Sequence, residues 1–178
     1  MQSISTKISS FFVALVLGAA SLPVLADDAC VDFKWDVSKE RALFAGAPVP
    51  VTAGKDPISA PAVVPNRLYK LRLMTQDHVA FAVQPTKKKA AAFAGLLTLK
   101  IPAPRSYRIA VDLPLWIDVV SNGALVPATD FEGQHACKAP HKIVEFDLVG
   151  VQPFVLQFSN AATESVLLTV TPTPPRKL

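Results

Sequence analysis

Three side chains in the C-terminal half of the chain have the chemistry of a metal site. His135 and His141 flank Cys137, and Glu145 follows in a stretch that alternates like a strand. Two neutral imidazoles and one carboxylate are the ligands of a non-haem iron centre, which keeps positions open for substrate and dioxygen. These residues predict, as one alternative, an iron-dependent dioxygenase. The other alternative is that the histidines are solvated loop residues and that no cofactor is bound.

A second candidate site is centred on Trp116. An exposed tryptophan ring stacks well on apolar surfaces such as the faces of sugar rings. Asp118 follows two residues later in the same predicted strand. Trp116 and Asp118 therefore predict a ligand-binding surface, whereas packing of Trp116 in the core is the competing interpretation.

The composition argues against several other functions. The sequence contains no G-x-S-x-G elbow, P-loop, H-E-x-x-H or dinucleotide fingerprint. Without residues 1–26, which hold Lys7 and no acid, 17 basic and 14 acidic side chains remain. The basic residues are scattered apart from Lys87, Lys88 and Lys89, which favours a solvated loop over a nucleic-acid surface.

The N-terminus has the order of a secretory signal. Lys7 precedes an apolar run from Phe11 to Ala20, and Val24-Leu25-Ala26 offers small residues before a cleavage site. The run is shorter than the ~20 residues of a membrane-spanning helix. We expect cleavage after Ala26, a periplasmic or extracellular protein, and no membrane span thereafter.

The expected export determines how the two cysteines are interpreted. Cys30 and Cys137 are the only cysteines of the chain. In an oxidising compartment an even number of cysteines indicates pairing, so a Cys30–Cys137 disulfide is expected.

The remaining sequence predicts short strands separated by turns. Apolar and polar residues alternate with period two, which is typical of strands with one buried face. Asn122-Gly123 supplies the positive φ angles of a tight hairpin turn. A short helix is expected at 39–44, stopped by Gly46 and Pro48. One strand is predicted near the N-terminus, at 31–37. From residue 68 onward the chain forms a series of segments with strand character, at 68–74, 79–83, 97–101, 107–113, 116–120, 124–127, 143–148, 154–158 and 166–170, and this series sets the number of strands in the expected fold.

The expected fold is all-β, an antiparallel β-sandwich or jelly-roll of eight or nine strands. A single domain would occupy residues 27–171 after the cleaved signal at 1–26, and 172–178 would be a flexible tail. The proline-rich stretch 45–66 is expected to be an extended linker or an irregular edge segment.

The sequence also resembles small exported proteobacterial proteins of unknown function. Their opening is similar to Cys30–Ser38. Their later motifs match Trp116–Val120, Phe131–Gly133, Cys137, His141–Phe146 and Leu156–Ser159. The strand pattern is similar to the prepeptidase C-terminal type of β-sandwich. Some relatives carry the label homogentisate 1,2-dioxygenase, which implies the iron-dependent alternative.

The sequence thus favours a non-catalytic domain with a binding or cell-envelope accessory role. Its expected partner is a protein or glycan of the envelope, and no cofactor is expected. The alternative is a metal-dependent dioxygenase that uses the His135, His141 and Glu145 set.

Overall fold

The computed structural model describes Cys30 and residues 33–85, 87–150 and 153–174. The predicted signal, residues 1–26, lies outside this part. Strands make up 47% of the structure and helices 8%, so the predicted all-β class is confirmed. No helix in the described residues has the length and apolar character needed to cross a bilayer.

One short α-helix, one 3₁₀ helix at Gln76–His78 and twelve strands are found in the described residues. The α-helix is α1 (Ser38–Phe44). The strands are β1 (Val49–Thr52), β2 (Ala62–Val63), β3 (Leu68–Arg72), β4 (Met74–Thr75), β5 (Phe93–Leu99), β6 (Arg105–Val111), β7 (Trp116–Ser121), β8 (Ala124–Val126), β9 (Ala128–Gly133), β10 (Lys142–Leu148), β11 (Phe154–Ala161) and β12 (Ser165–Pro172).

The strands form two mixed sheets. The first has the order β1-β3-β12-β6-β10-β9, and the second has the order β2-β5-β11-β7-β8, with β4 paired to β5. A single apolar cluster contains buried side chains of both sheets, for example Val144 and Phe146 of β10 and Leu156 and Phe158 of β11. Alternate residues of the central strands point to this core, because successive side chains of a strand point to opposite faces.

The outer face of each sheet is also covered. Phe33, Val37 and Phe44 pack on Ala110 and Ile143 of the first sheet. On the second sheet, Val79 belongs to a cluster with Ala94 and Leu96 of β5, against which Phe81 and Ala82 pack. Both faces of the central strands are therefore shielded from water.

Several sequence expectations are corrected. The sheets are mixed rather than antiparallel, because β1 pairs with β3 and β2 with β5 in parallel. Twelve described strands replace the predicted eight or nine. Two of the additional strands, β1 and β2, come from the proline-rich stretch and lie at the edges of the two sheets, where a missing backbone donor is tolerated.

Two predicted strands are wrong in the residues that the structure describes. Residues 33–37 and 79–83 form no strand. The alternation in the first segment comes from packing on the sheet, and the backbone N–H of Lys34 donates to Glu132 Oε2 at 2.8 Å instead of joining a ladder. At the other end, β12 includes Pro172, and the Thr173 N–H donates to the Ser106 carbonyl at 2.9 Å, so ordered structure extends into the predicted tail.

Three local predictions are confirmed. Cys30 and Cys137 form a disulfide across 107 positions of sequence, with their Cα atoms 4.9 Å apart. The predicted helix is found within one residue of its expected start. Asn122 and Gly123 have φ angles of 51° and 74° and join the antiparallel strands β7 and β8.

Candidate ligand-binding cleft

A cleft opens between the two sheets at the edge where β7 faces β9 and β10. Its volume is about 310 Å³. Most of its lining is apolar, and the polar side chains in its wall are two histidines and one lysine. The lining residues are Pro114, Leu115, Trp116, Ile117, Ala128, Phe131, Gly133, His135, His141, Lys142 and Val144.

The strand register explains one wall of the cleft. Phe131 pairs with Val144 and Gly133 pairs with Lys142 across β9 and β10, and paired residues share a face. Val144 belongs to the core cluster, so this face points between the sheets. Phe131 retains 67% of its surface exposed because no further strand of the described chain pairs with the free edge of β9.

Trp116 also lines the cleft, and a hydrogen bond to a neighbouring side chain holds its ring in position. Its indole Nε1 donates to Asp118 Oδ1 at 2.9 Å. A hydrogen bond to a carboxylate holds the ring in place and polarises it. Asp118 is buried and is not among the residues that line the cleft. Of the predicted pair, Trp116 therefore lies in the cleft and Asp118 supports it.

Two lysine ammonium groups lie against the Trp116 ring. Lys87 Nζ is 4.9 Å and Lys142 Nζ is 5.3 Å from the ring centroid. Cations at this distance are attracted to the electron-rich face of an indole. Lys142 Nζ also donates to the Leu115 carbonyl at 2.8 Å, and the backbone of Lys87 is anchored by Asn160 Nδ2 at 3.0 Å.

Burial changes the protonation equilibria around Trp116. The pKa of Lys142 is lowered by burial first and by the charge of Lys87 second, with a partial offset from Asp118. The pKa of Asp118 is raised by burial, against the hydrogen bond from Trp116. Among the described residues, no hydrogen bond of standard geometry reaches the buried Asp118 Oδ2. Both shifts show that charge is costly at this position.

The positive charges at Trp116 exceed the negative ones. Neither Lys87 nor Lys142 forms an ion pair within the described part of the chain. Asp118 is the acid that acts on Lys142, and it does so from beyond ion-pair distance. Two cations thus share one ring with one nearby carboxylate.

The other tryptophan, Trp35, has a different arrangement on the outer face of the first sheet. Lys34 Nζ and the Arg108 guanidinium each lie 4.7 Å from its ring centroid. Here both cations are paired, Lys34 with Asp130 at 2.5 Å and Arg108 with Glu145 at 3.2 Å. The recess beside Trp35, about 320 Å³ in volume, is lined by three of these charged groups, Arg108, Asp130 and Glu145.

The structure brings two of the three predicted metal ligands together. The ring centroids of His135 and His141 are 5.7 Å apart, and both rings line the cleft. Glu145 lies on the outer face of β10, in a buried ion pair with Arg108. Across the described residues, no group of three histidine, cysteine, aspartate or glutamate side chains is placed to hold a metal ion.

Sequence reasoning missed the two lysines at the Trp116 ring, of which Lys142 lines the cleft. Lys142 shares its parity with Val144, Phe146 and Leu148, which all point to the core. A lysine at a core-facing position at the start of a strand is the signal that would have found it. Lys87 carries no such signal, because a loop from a distant part of the chain brings it to Trp116.

Comparison with known proteins gave no match, either to a protein-family model or to a curated protein. The resemblance noted from the sequence therefore stays a prediction, and the site is interpreted from its own geometry.

Proposed function

We propose that this protein is an exported, non-catalytic β-sandwich domain of the cell envelope that binds a small, largely apolar molecule in the cleft beside Trp116. The observation that carries the proposal is the cleft itself. Its apolar walls meet a few convergent polar groups, the combination typical of small-molecule sites.

The size of the cleft supports a small ligand. Its volume of about 310 Å³ is at the lower end of the ~300–1,000 Å³ found for ligand pockets. A polymeric glycan would need many hydrogen-bond partners for its hydroxyl groups. The cleft wall offers side-chain partners at His135, His141 and Lys142 only, among the residues that line it.

The rigidity of the walls also supports binding. Trp116 is fixed by Asp118, and the β9–β10 loop that carries His135 is tied to the N-terminal segment by the disulfide at Cys137. A pre-formed site loses less conformational entropy on binding than a mobile one. Binding therefore needs no rearrangement of the two sheets.

A variant that fills the cleft tests the proposal. A Cβ at Gly133 would meet nothing closer than the His141 carbonyl oxygen at 3.6 Å, an ordinary contact, so Gly133→Leu adds bulk without backbone strain. Binding is measured by fluorescence titration with N-phenyl-1-naphthylamine, a neutral apolar probe. We expect the wild-type protein to bind the probe and Gly133→Leu to bind it at least about tenfold more weakly.

The matched control is Ala42→Leu, which introduces the same leucine side chain at an exposed position of α1. This variant should bind like the wild type, and both variants should unfold at temperatures close to that of the wild type. Equal probe binding by wild type and Gly133→Leu, or none by either, would refute the proposal.

A further inference from the structure

We propose that the ligand of the cleft is an organic acid, whose carboxylate lies beside Lys142 and Lys87 and whose apolar body lies between Trp116 and Phe131. This inference rests on the proposed function and names the chemical class of its ligand.

The first argument is the uncompensated charge. Lys87 and Lys142 lie 4.9 and 5.3 Å from the centroid of the same indole ring. Their charges repel each other, and Lys142 is also partly removed from water. An anion between the two ammonium groups would relieve both costs, because it pairs with each cation in a partly desolvated place.

The second argument is hydrogen-bonding capacity. An ammonium group has three donors. Lys142 uses one for the Leu115 carbonyl, at 2.8 Å. Its remaining donors can reach a carboxylate oxygen, and charge-assisted hydrogen bonds of this kind are stronger than those between neutral groups.

The third argument concerns the rest of the ligand. Phe131 is a large apolar side chain with 67% of its surface exposed, and it lines the same cleft as Trp116. Together with Leu115 and Val144 it offers an apolar slot that a hydrocarbon chain or an aromatic ring would cover. A free inorganic anion would leave this surface wet, so we infer an acid with an apolar body.

The recess at Trp35 shows why the inference is limited to one place. Its two cations are each neutralised by a carboxylate of the chain, so an added anion would meet no excess positive charge there. The cleft and this recess have similar volumes, and each lies beside an indole ring that has two cations against it. Because only the cations at Trp116 lack a paired carboxylate within the described residues, we infer that the ligand's carboxylate binds in the cleft and not in the recess.

The test compares octanoate with 1-octanol, which has the same chain length and no charge. Isothermal titration calorimetry on the full chain at pH 7 gives the two dissociation constants. We expect octanoate to bind at least about tenfold more tightly than octanol, with a preference that falls as sodium chloride is raised, because salt screens charge pairs.

Variants locate the effect. Lys142→Met should remove most of the preference for octanoate while leaving octanol binding within about twofold. Lys87→Gln changes an exposed side chain and should weaken octanoate by several fold without affecting the fold. The control Lys88→Gln removes the neighbouring lysine, which faces Asp77 at 4.0 Å instead of Trp116, and should bind octanoate like the wild type.

The outcomes separate the two proposals. Equal affinity for octanoate and octanol would overturn the inference that the ligand is an acid. It would leave the proposed binding of a small molecule in the cleft intact. A preference that survives in both Lys142→Met and Lys87→Gln would also overturn the inference of an acid. Failure of every apolar compound to bind, including the neutral probe, would overturn the proposed function itself.

Discussion

The two tryptophans of this chain lie in similar surroundings that differ in one respect. Each ring has two cationic side chains within about 5 Å of its centroid. At Trp35 both cations are bound to carboxylates, and the Arg108–Glu145 pair is almost completely buried, with 7% and 5% of the side chains exposed. At Trp116 two lysines share one nearby acid, beside an open apolar cleft.

This difference distinguishes a structural cluster from a binding site. The charges at Trp35 balance within the chain, so their contribution is to stability and to the position of the N-terminal segment. At Trp116 the described residues supply two positive charges and one nearby carboxylate, which leaves an excess of positive charge. Changes at Trp35 should therefore alter stability, and changes at Trp116 should alter binding.

The largest effect is expected at the bridge that holds the N-terminal segment against the first sheet. Replacing both Cys30 and Cys137 by Ala should lower the free energy of unfolding by about 4 to 5 kcal/mol, because the bridge closes a loop of roughly a hundred residues. Denaturation by urea measures this loss, with non-reducing mass spectrometry of the wild type as the control. A loss below about 1 kcal/mol would mean that the bridge does not stabilise this side of the molecule.

The next effect separates the two tryptophan sites directly. Arg108→Met leaves the Glu145 carboxylate buried without its cation, which should cost about 3 to 5 kcal/mol of stability. Lys142→Met breaks no ion pair within the described residues and should cost less than about 1 kcal/mol.

A double variant controls for this interpretation. Arg108→Met combined with Glu145→Leu removes both charges and should regain much of the lost stability, because an apolar pair carries no desolvation cost. Similar losses for Arg108→Met and Lys142→Met, measured in urea, would contradict the distinction between the two sites.

The smallest effect is expected at the acid behind Trp116. Burial raises the pKa of Asp118 above its ordinary value of 3.8. Its contribution is thus most favourable below that pH and is lost as the pH rises through the folded-state pKa. Asp118→Asn removes the stability loss that comes from ionising the buried carboxyl group. The amide oxygen of the asparagine can still accept the hydrogen bond from the Trp116 indole N–H. At pH 7 the melting temperature of this variant should exceed that of the wild type by at most about 3 °C.

The Asp118→Asn variant also tests the proposed excess of positive charge at Trp116. It removes the one acid near Lys142, so octanoate should bind a few fold more tightly than to the wild type. At pH 3 the two proteins should differ little in stability, because Asp118 is then protonated in both the folded and unfolded states. A lower melting temperature for Asp118→Asn at pH 7 would contradict the account of the buried charge.

The parts of the fold that sequence predicted well are strands with clear turns beside them. Strands β6, β7, β10, β11 and β12 were expected within a few residues of their bounds, and the Asn122-Gly123 turn identified its hairpin. Alternation alone was misleading at residues 33–37, where an extended segment packs on a sheet without pairing. The two-residue strand β2 is too short to leave any pattern.

The site was only partly predictable for a related reason. Trp116 and the two histidines stand out by residue type, and all three line the cleft. The alternation of β10 places Glu145 on the outer face of the strand, where a metal ligand would be accessible. The N-terminal segment packs over this face, so Glu145 is buried. The proximity of Lys87 to Lys142 depends on tertiary folding, which places residues 55 positions apart on the same ring.

One spectrum tests the central claim most directly. A ¹⁵N–¹H correlation spectrum of the full chain contains one indole signal from Trp35 and one from Trp116, which Trp35→Phe and Trp116→Phe variants assign. On titration with octanoate, the account predicts a saturable shift of the Trp116 signal and no change at Trp35. A shift of the Trp35 signal with no shift at Trp116, or no shift of either up to millimolar octanoate, would contradict it.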